Sequence, residues 1–369
     1  MIPVSIPYVA TNQKKYVNDC LDRNWISAFG KYDDLLCTSF ANYVGATYAS
    51  TCSNGTVALH LALLACNISI EDEVILPNFN GPYALFAIGY VGATPVLIDI
   101  DSEWDICLDS LKNAITSKTK ALIIPHLYGV PSRVKHLREF CDQHNIYIIE
   151  DCAEAHGARE GNNVVGSIGD IACFSFYANK ILAAGEGGIC LTSDKNLYEK
   201  INYFKNQTFN AGPIKSFIHE DIGHNYRMSD LHCAIAFAHF EEIELILDRR
   251  DEILQKYKFF LPEFKDCFQS EKKEVSCVNW VTTLQLPYDI ADRRDELEEY
   301  LLNNGVQSRK FFAPMSVQPI FTKMNGVISE SLDNSIAISA AGIYLPTYIG
   351  MDDSSIKKIC DLIRKFLIK

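Results

Sequence analysis

Short apolar runs alternate with stretches of helical spacing through the first half of the chain. Residues 73–76, 95–99, 121–125, 146–150, 172–176 and 188–192 read as strands, apolar along their whole length rather than at every second position. Between them, residues 56–66, 83–91, 108–114 and 134–144 carry the periodicity of helices. Strands that are apolar on both faces and separated by helices predict an α/β architecture with a mostly parallel sheet sandwiched by helices. Residues 159–163 have the chemistry of a tight turn and interrupt this rhythm. Ser229 is placed to cap one long helix running to about residue 249. A large unit over residues 1–250 is therefore expected. A smaller α+β unit over 251–369 would contain strands near 280–286 and 307–311 and helices near 296–304 and 354–367.

One run tests this pattern. Residues 80–98 carry no charge and approach the length of a membrane span. Gly81, Pro82, Gly89, Gly92 and Pro95 punctuate it, so it reads as a helix followed by a buried strand. The formal charge is −12 and no Lys/Arg cluster forms a phosphate-backbone footprint, which argues against a nucleic-acid partner. The 13 cysteines are scattered without metal-ligand spacing, and Cys66, Cys141, Cys173 and Cys190 sit among apolar residues. Free thiols in this number fit a reducing compartment. Residues 1–8 lack a basic region followed by an apolar run, so no leader is expected and the location expected is cytoplasmic.

The candidate chemistry centres on Lys180. An aromatic approach, Phe174-Ser175-Phe176-Tyr177-Ala178-Asn179, leads into it and Gly185-Glu186-Gly187-Gly188 follows. A desolvated lysine amine is available as a nucleophile and base, which is what a Schiff-base lysine requires. Ser53-Asn54-Gly55-Thr56 opens a helix, where backbone N–H groups and the Thr56 hydroxyl suit a phosphate, although the same residues make an ordinary cap. The strand ending in Glu150-Asp151 places carboxylates where ligands gather in a doubly wound sheet. A buried Asp151 needs a cation, such as a protonated pyridine nitrogen, unless it caps the next helix. Ser175 lies on the strand that leads to Lys180, and Gly223-His224-Asn225-Tyr226-Arg227-Met228 forms a polar loop before the capped helix.

In order and spacing these motifs resemble the DegT/DnrJ/EryC1/StrS family of sugar aminotransferases, pyridoxal-phosphate enzymes of aminotransferase fold type I. The resemblance spans the chain from Trp25-Ile26-Ser27 and Gly30-Lys31-Tyr32, through residues 53–63 and 150–155, to Phe-Ser-Phe at 174–176, Asn-Lys at 179–180, Gly-Glu-Gly-Gly at 185–188 and Asn-Tyr-Arg-Met at 225–228. Within the family it is most similar to the GDP-perosamine synthases. It implies that Lys180 carries pyridoxal 5'-phosphate as a Schiff base, that Asp151 faces the ring nitrogen and that Glu154 lies near the ring hydroxyl. It further implies that Gly55, Thr56 and Ser175 bind the phosphate, with Asn225 reaching it from the neighbouring subunit of a homodimer. Ser27, His156, Lys310 and Ser316 become candidates for the substrate side. Glutamate and a nucleotide-linked keto sugar are the implied substrates, and no metal is implied. A smaller phosphorylated ketone as acceptor, and a non-catalytic cofactor-binding regulator, remain as alternatives.

The chain departs from the family pattern in three places. Relatives place an aromatic ring four residues after the proline that is Pro77 here, to stack on the cofactor. This chain has Gly81 there, leaving Phe79 or Tyr83 to substitute or the ring face open. Lys310, Ala313 and Ser316 stand where the perosamine-synthase pattern has proline, tyrosine and histidine, and His224 replaces a common tyrosine. These departures bear on the acceptor and not on the cofactor chemistry.

Overall fold

The uncharged runs build the centre of a sheet, as their two-sided apolar character requires. The computed structural model describes residues 1–209, 217–269 and 272–368. Its main sheet has eight strands in the order Tyr48–Cys52, Gly188–Thr192, Ile171–Ser175, Tyr147–Asp151, Thr119–Pro125, Glu73–Pro77, Thr94–Ile98 and Val327–Ile328. Every pairing is parallel except those made by Gly188–Thr192, which runs against both neighbours. Both faces are covered. On the Lys180 strand, Ala172 and Phe174 enter one core while Ile171 and Cys173 enter another.

All six predicted strands and all four predicted helices of this region are present, with ends shifted by a residue or two. The uncharged run of residues 80–98 divides into the helix Tyr83–Val91 and the strand Thr94–Ile98. Among the described residues no helix is long and apolar enough to cross a membrane. Periodicity did not reveal the edge strand Tyr48–Cys52 or the helices Gln13–Asp22, Lys31–Val44 and Lys195–Lys205.

The long helix expected after Ser229 is two helices, Asp230–Phe240 and Ile243–Phe260. Ser229 does cap the first, accepting the N–H of His232. The break falls at Glu241 and Glu242, whose carboxylates turn toward the N-terminal segment. Glu241 accepts from the Tyr16 hydroxyl at 2.8 Å, and Glu242 accepts from the Tyr8 hydroxyl at 2.8 Å and the Thr11 N–H at 2.9 Å. These are tertiary partners, so helical spacing alone could not locate the corner.

Ile243 and Ile246 pack in the core of the main sheet, whereas Ile253, Leu254 and Tyr257 of the same helix pack in a separate C-terminal core. There an antiparallel sheet of Thr282–Gln285, Gly342–Leu345 and Arg309–Lys310 lies with the helices Arg294–Asn303 and Asp353–Leu367. The C-terminal part also reaches back. Val327–Ile328 extends the main sheet, and Val275–Ser276 pairs with Arg159–Glu160, one arm of the hairpin made by the predicted tight turn.

Candidate active site

The sheet topology brings three chain segments to one point. The strand Tyr48–Cys52 ends in the loop that opens the helix Gly55–Ala65, and the strands ending at Asp151 and Ser175 finish beside it. Asn54 caps the helix by accepting the N–H of Val57 at 2.9 Å. The N–H groups of Gly55 and Thr56, in the half-buried first turn, are thereby left for an anion. Gly55 lies so close to the Lys180 strand that a Cβ on it would meet Ser175 Cβ at 2.8 Å and Oγ at 3.2 Å. Gly55, Thr56 and Ser175 therefore form one cradle. Gly55→Ala fills it, and we expect the apparent cofactor dissociation constant to rise at least about tenfold, since one lost charge-assisted contact costs roughly 1.5–3 kcal/mol. Equilibrium titration with pyridoxal phosphate measures this.

Lys180 sits in the short excursion between the antiparallel strands Ile171–Ser175 and Gly188–Thr192. Its Nζ lies 3.3 Å from Glu154 Oε1. The other Glu154 oxygen accepts the N–H of Tyr128 at 3.0 Å. Burial raises the Glu154 carboxyl above its ordinary value, against the pull of Lys180.

The adjacent carboxylates Glu150 and Asp151 separate cleanly. Glu150 is completely buried and accepts from His126 Nε2 at 3.0 Å and from the N–H groups of Gly166, Ile168 and Gly169 at 2.7, 3.0 and 2.5 Å. Burial works against its charge, but these donors outweigh it and hold the carboxyl below the usual range. His126 Nδ1 accepts the N–H of Ser132, so Nε2 carries the hydrogen that Glu150 receives. Cys152 lies beside this pair, and with the His126 and Glu150 ligand atoms already engaged the group is a structural clamp. Asp151 points the other way, into the cavity, and among the described residues accepts only the N–H of Ala153 at 3.1 Å. Burial raises its carboxyl above the ordinary range, against the pull of Lys180. It caps a turn rather than a helix, and among the described residues it forms no ion pair.

These groups line a cavity of about 660 Å³ together with Asn179, Tyr83, Phe86, Tyr90, Trp280, Phe312 and Tyr344. That is the size of a small-molecule site. The space left by Gly81 is filled. A Cβ on Gly81 would touch the Tyr83 ring at 3.1 Å and Phe312 at 3.5 Å, so Tyr83 folds over the position. Phe79, the other candidate, is fully buried against Trp104, Tyr128 and Phe311 and does not reach the cavity.

The remaining predicted residues lie apart from the cavity. His156 is fully buried against Phe40 and Phe174 and does not line the cavity, and burial pushes its pKa down to about 3. Lys310 pairs with Asp295 at 3.0 Å and Glu298 at 3.6 Å instead of entering the acceptor side. The Ser316 N–H donates to Asn78, and the Ser27 carbonyl accepts from Asp230. Neither residue lines the cavity of this chain. Asn225 is exposed, its side-chain oxygen held by Arg227 Nε at 3.1 Å. Its neighbour Tyr226 does line the cavity. Trp280, Phe312 and Tyr344 were not foreseen. They come from the C-terminal part, a hundred residues or more beyond Lys180, and no local motif marks them.

The cradle at Gly55, Thr56 and Ser175, the Asp151 carboxyl and Lys180, the one lysine among the lining residues of the cavity, fit pyridoxal 5'-phosphate. Fold and site together define a pyridoxal-phosphate-dependent aminotransferase of fold type I. The chain belongs to the DegT/DnrJ/EryC1/StrS aminotransferase family, which its residues 7–364 match. It is 37% identical over 367 residues to the GDP-perosamine synthase of Vibrio cholerae, covering 99% of each chain. The structure of the aminotransferase TlmJ from Streptoalloteichus hindustanus superposes with a TM-score of 0.91 at 22% identity, covering 100% of this chain and 99% of that one. The sugar aminotransferase Spr1654 of Streptococcus pneumoniae, described as putative and solved in its PLP form, superposes with a TM-score of 0.90 at 22% identity, covering 99% and 98%.

Proposed function

We propose that the chain transfers an amino group from glutamate to a nucleotide-linked keto sugar, such as GDP-4-keto-6-deoxymannose. The similarity to GDP-perosamine synthase along essentially the whole of both chains carries this reading. The cofactor supplies an electron sink for carbanion chemistry when bound. Lys180 would hold it and, with its amine free, would move the proton at the donor's Cα and later at the acceptor carbon. Asp151 would keep the ring nitrogen protonated, Glu154 would orient the ring hydroxyl, and Gly55, Thr56 and Ser175 would fix the phosphate. Tyr83 would take the stacking place that Gly81 vacates.

The reading includes a homodimer in which Asn225 completes the phosphate site of the partner. What supports it is the outward placement of Asn225 beside Tyr226, together with exposed apolar side chains at Leu21, Trp25, Ile26 and Phe29.

The test is turnover by the cofactor-loaded protein with glutamate and a panel of acceptors. We expect amination of the GDP-linked keto sugar, read as an amino-sugar nucleotide by mass spectrometry. No turnover of any nucleotide-linked keto sugar would sink the proposal, and activity on a keto-phosphate lacking a nucleotide would replace it.

A further inference from the structure

The Lys180 amine has a second neighbour besides Glu154. Its Nζ lies 3.9 Å from the centroid of the Trp280 ring. Trp280 is only 3% exposed and lines the cavity. Its indole N–H donates to the carbonyl of Asn179 at 2.8 Å, on the peptide that carries Lys180. Its own carbonyl accepts from Arg250 Nη1 at 2.6 Å.

Arg250 is 4% exposed and, among the described residues, pairs with no carboxylate. Burial draws its pKa down to about 10. A buried guanidinium without an acid opposes folding, and the contact it makes here is the one that fixes the Trp280 backbone. Tyr128 braces both neighbours of the amine. Its ring stacks on Trp280 at 6.1 Å and 10°, and its backbone N–H holds Glu154.

We propose that the Trp280 face and the Glu154 carboxylate form a seat for the Lys180 amine in its cationic form, with Arg250 as a positioning residue that acts through Trp280. The seat is filled before the cofactor is bound and again whenever the amino donor displaces the lysine, so this inference rests on Lys180 being the cofactor-bearing residue. An aromatic face attracts an ammonium through its quadrupole and does far less for a neutral amine. The seat therefore restrains the cation and keeps it within reach of the reacting carbon.

The test uses the cofactor-free protein, acetic anhydride as amine probe, and peptide mass spectrometry to read Lys180 acetylation at fixed pH. Trp280→Leu removes the ring face, and Lys180 should react about tenfold faster, as expected for losing a desolvated cation–π contact. Trp280→Phe keeps a face but loses the N–H that ties Asn179, and should stay within about twofold of the parent, since phenyl retains the quadrupole. A Phe variant as fast as the Leu variant would show that only the tie matters, and a Leu variant as slow as the parent would remove the seat. Either result overturns the proposal.

If the Leu variant does not fold, the parent protein supplies the answer. The ε-methylene protons of Lys180, identified by their loss in Lys180→Met, should show a ring-current displacement in 13C-lysine NMR spectra. An undisplaced resonance overturns the seat. Borohydride reduction of the loaded protein tests the underlying reading separately, because cofactor trapped on another lysine would refute the role of Lys180 while leaving the NMR result intact.

Discussion

Lys180→Ala is expected to fold, to retain the pyridoxamine form of the cofactor and to turn over no acceptor. On the proposed function two roles fall together at this residue, covalent attachment and proton movement, and proton transfer by a placed side chain alone contributes on the order of 10²–10⁴-fold. A loss of at least about 10³-fold in kcat follows, and the visible absorbance of the lysine-bound cofactor should disappear. The phosphate cradle at Gly55, Thr56 and Ser175 does not involve Lys180, so retention by phosphate contacts is expected to persist. Steady-state assay and absorbance spectra measure both parts. Residual turnover near the parent rate would take Lys180 out of the mechanism.

Asp151→Asn should separate activity from stability. The amide keeps the shape but cannot hold a proton on the ring nitrogen, and losing one preorganised electrostatic contact typically costs about 10²–10³-fold in kcat. The cofactor-free protein should respond in the opposite sense. Burial raises the Asp151 carboxyl above its ordinary value in the folded chain. The folded state thus binds this proton more tightly than the unfolded state does. The stability that the protonated group permits is fully present below the unfolded pKa of about 3.9, and is lost as pH rises through the folded value. Asn is neutral throughout. Cofactor-free Asp151→Asn should therefore unfold at a higher temperature than the parent near pH 7, with the difference shrinking as pH falls toward 4. Adding the cofactor should reverse the ranking, because the pyridinium is the cation that Asp151 lacks. Thermal unfolding at several pH values, with and without pyridoxal phosphate, checks each sign. A cofactor-free variant less stable than the parent at pH 7 would contradict the account.

The comparison of Glu150 with Asp151 shows where sequence reasoning stops. The strand 146–150 was readable from its apolar run, and two carboxylates at its end were visible at once. Which of them serves the cavity was not. Alternation along a strand sends neighbours to opposite faces, but only the folded chain shows that the Glu150 face meets His126 and the turn at Gly166–Gly169 while the Asp151 face meets the cavity. Asp151, expected to face a ring nitrogen, lines the cavity, whereas His156, Lys310 and Ser316 do not line it, and their surroundings are set by packing partners that no motif encodes.

Gly81 follows the same logic. The missing aromatic was plain in the sequence, and three outcomes stood open. The helix that starts at Tyr83 brings its first side chain back over the glycine, which favours Tyr83 for that place. Phe79 lost the place because its side chain is drawn into the aromatic core with Trp104 and Tyr128.

The sequence by itself determined the α/β alternation, the placing of Lys180 just beyond a strand, the helix cap at Asn54 and the strand ends that carry Asp151 and Ser175. Each of these depends on residues within a turn or a strand of one another, where spacing and residue chemistry fix the local outcome. Only the tertiary structure decided the corner at Glu241–Glu242, the filling of Gly81, and the aromatic wall of Trp280, Phe312 and Tyr344. The corner and the wall join segments a hundred residues or more apart, and the place of Tyr83 over Gly81 is shared with the distant Phe312; burial and hydrogen bonding between such segments leave no periodic trace in the chain.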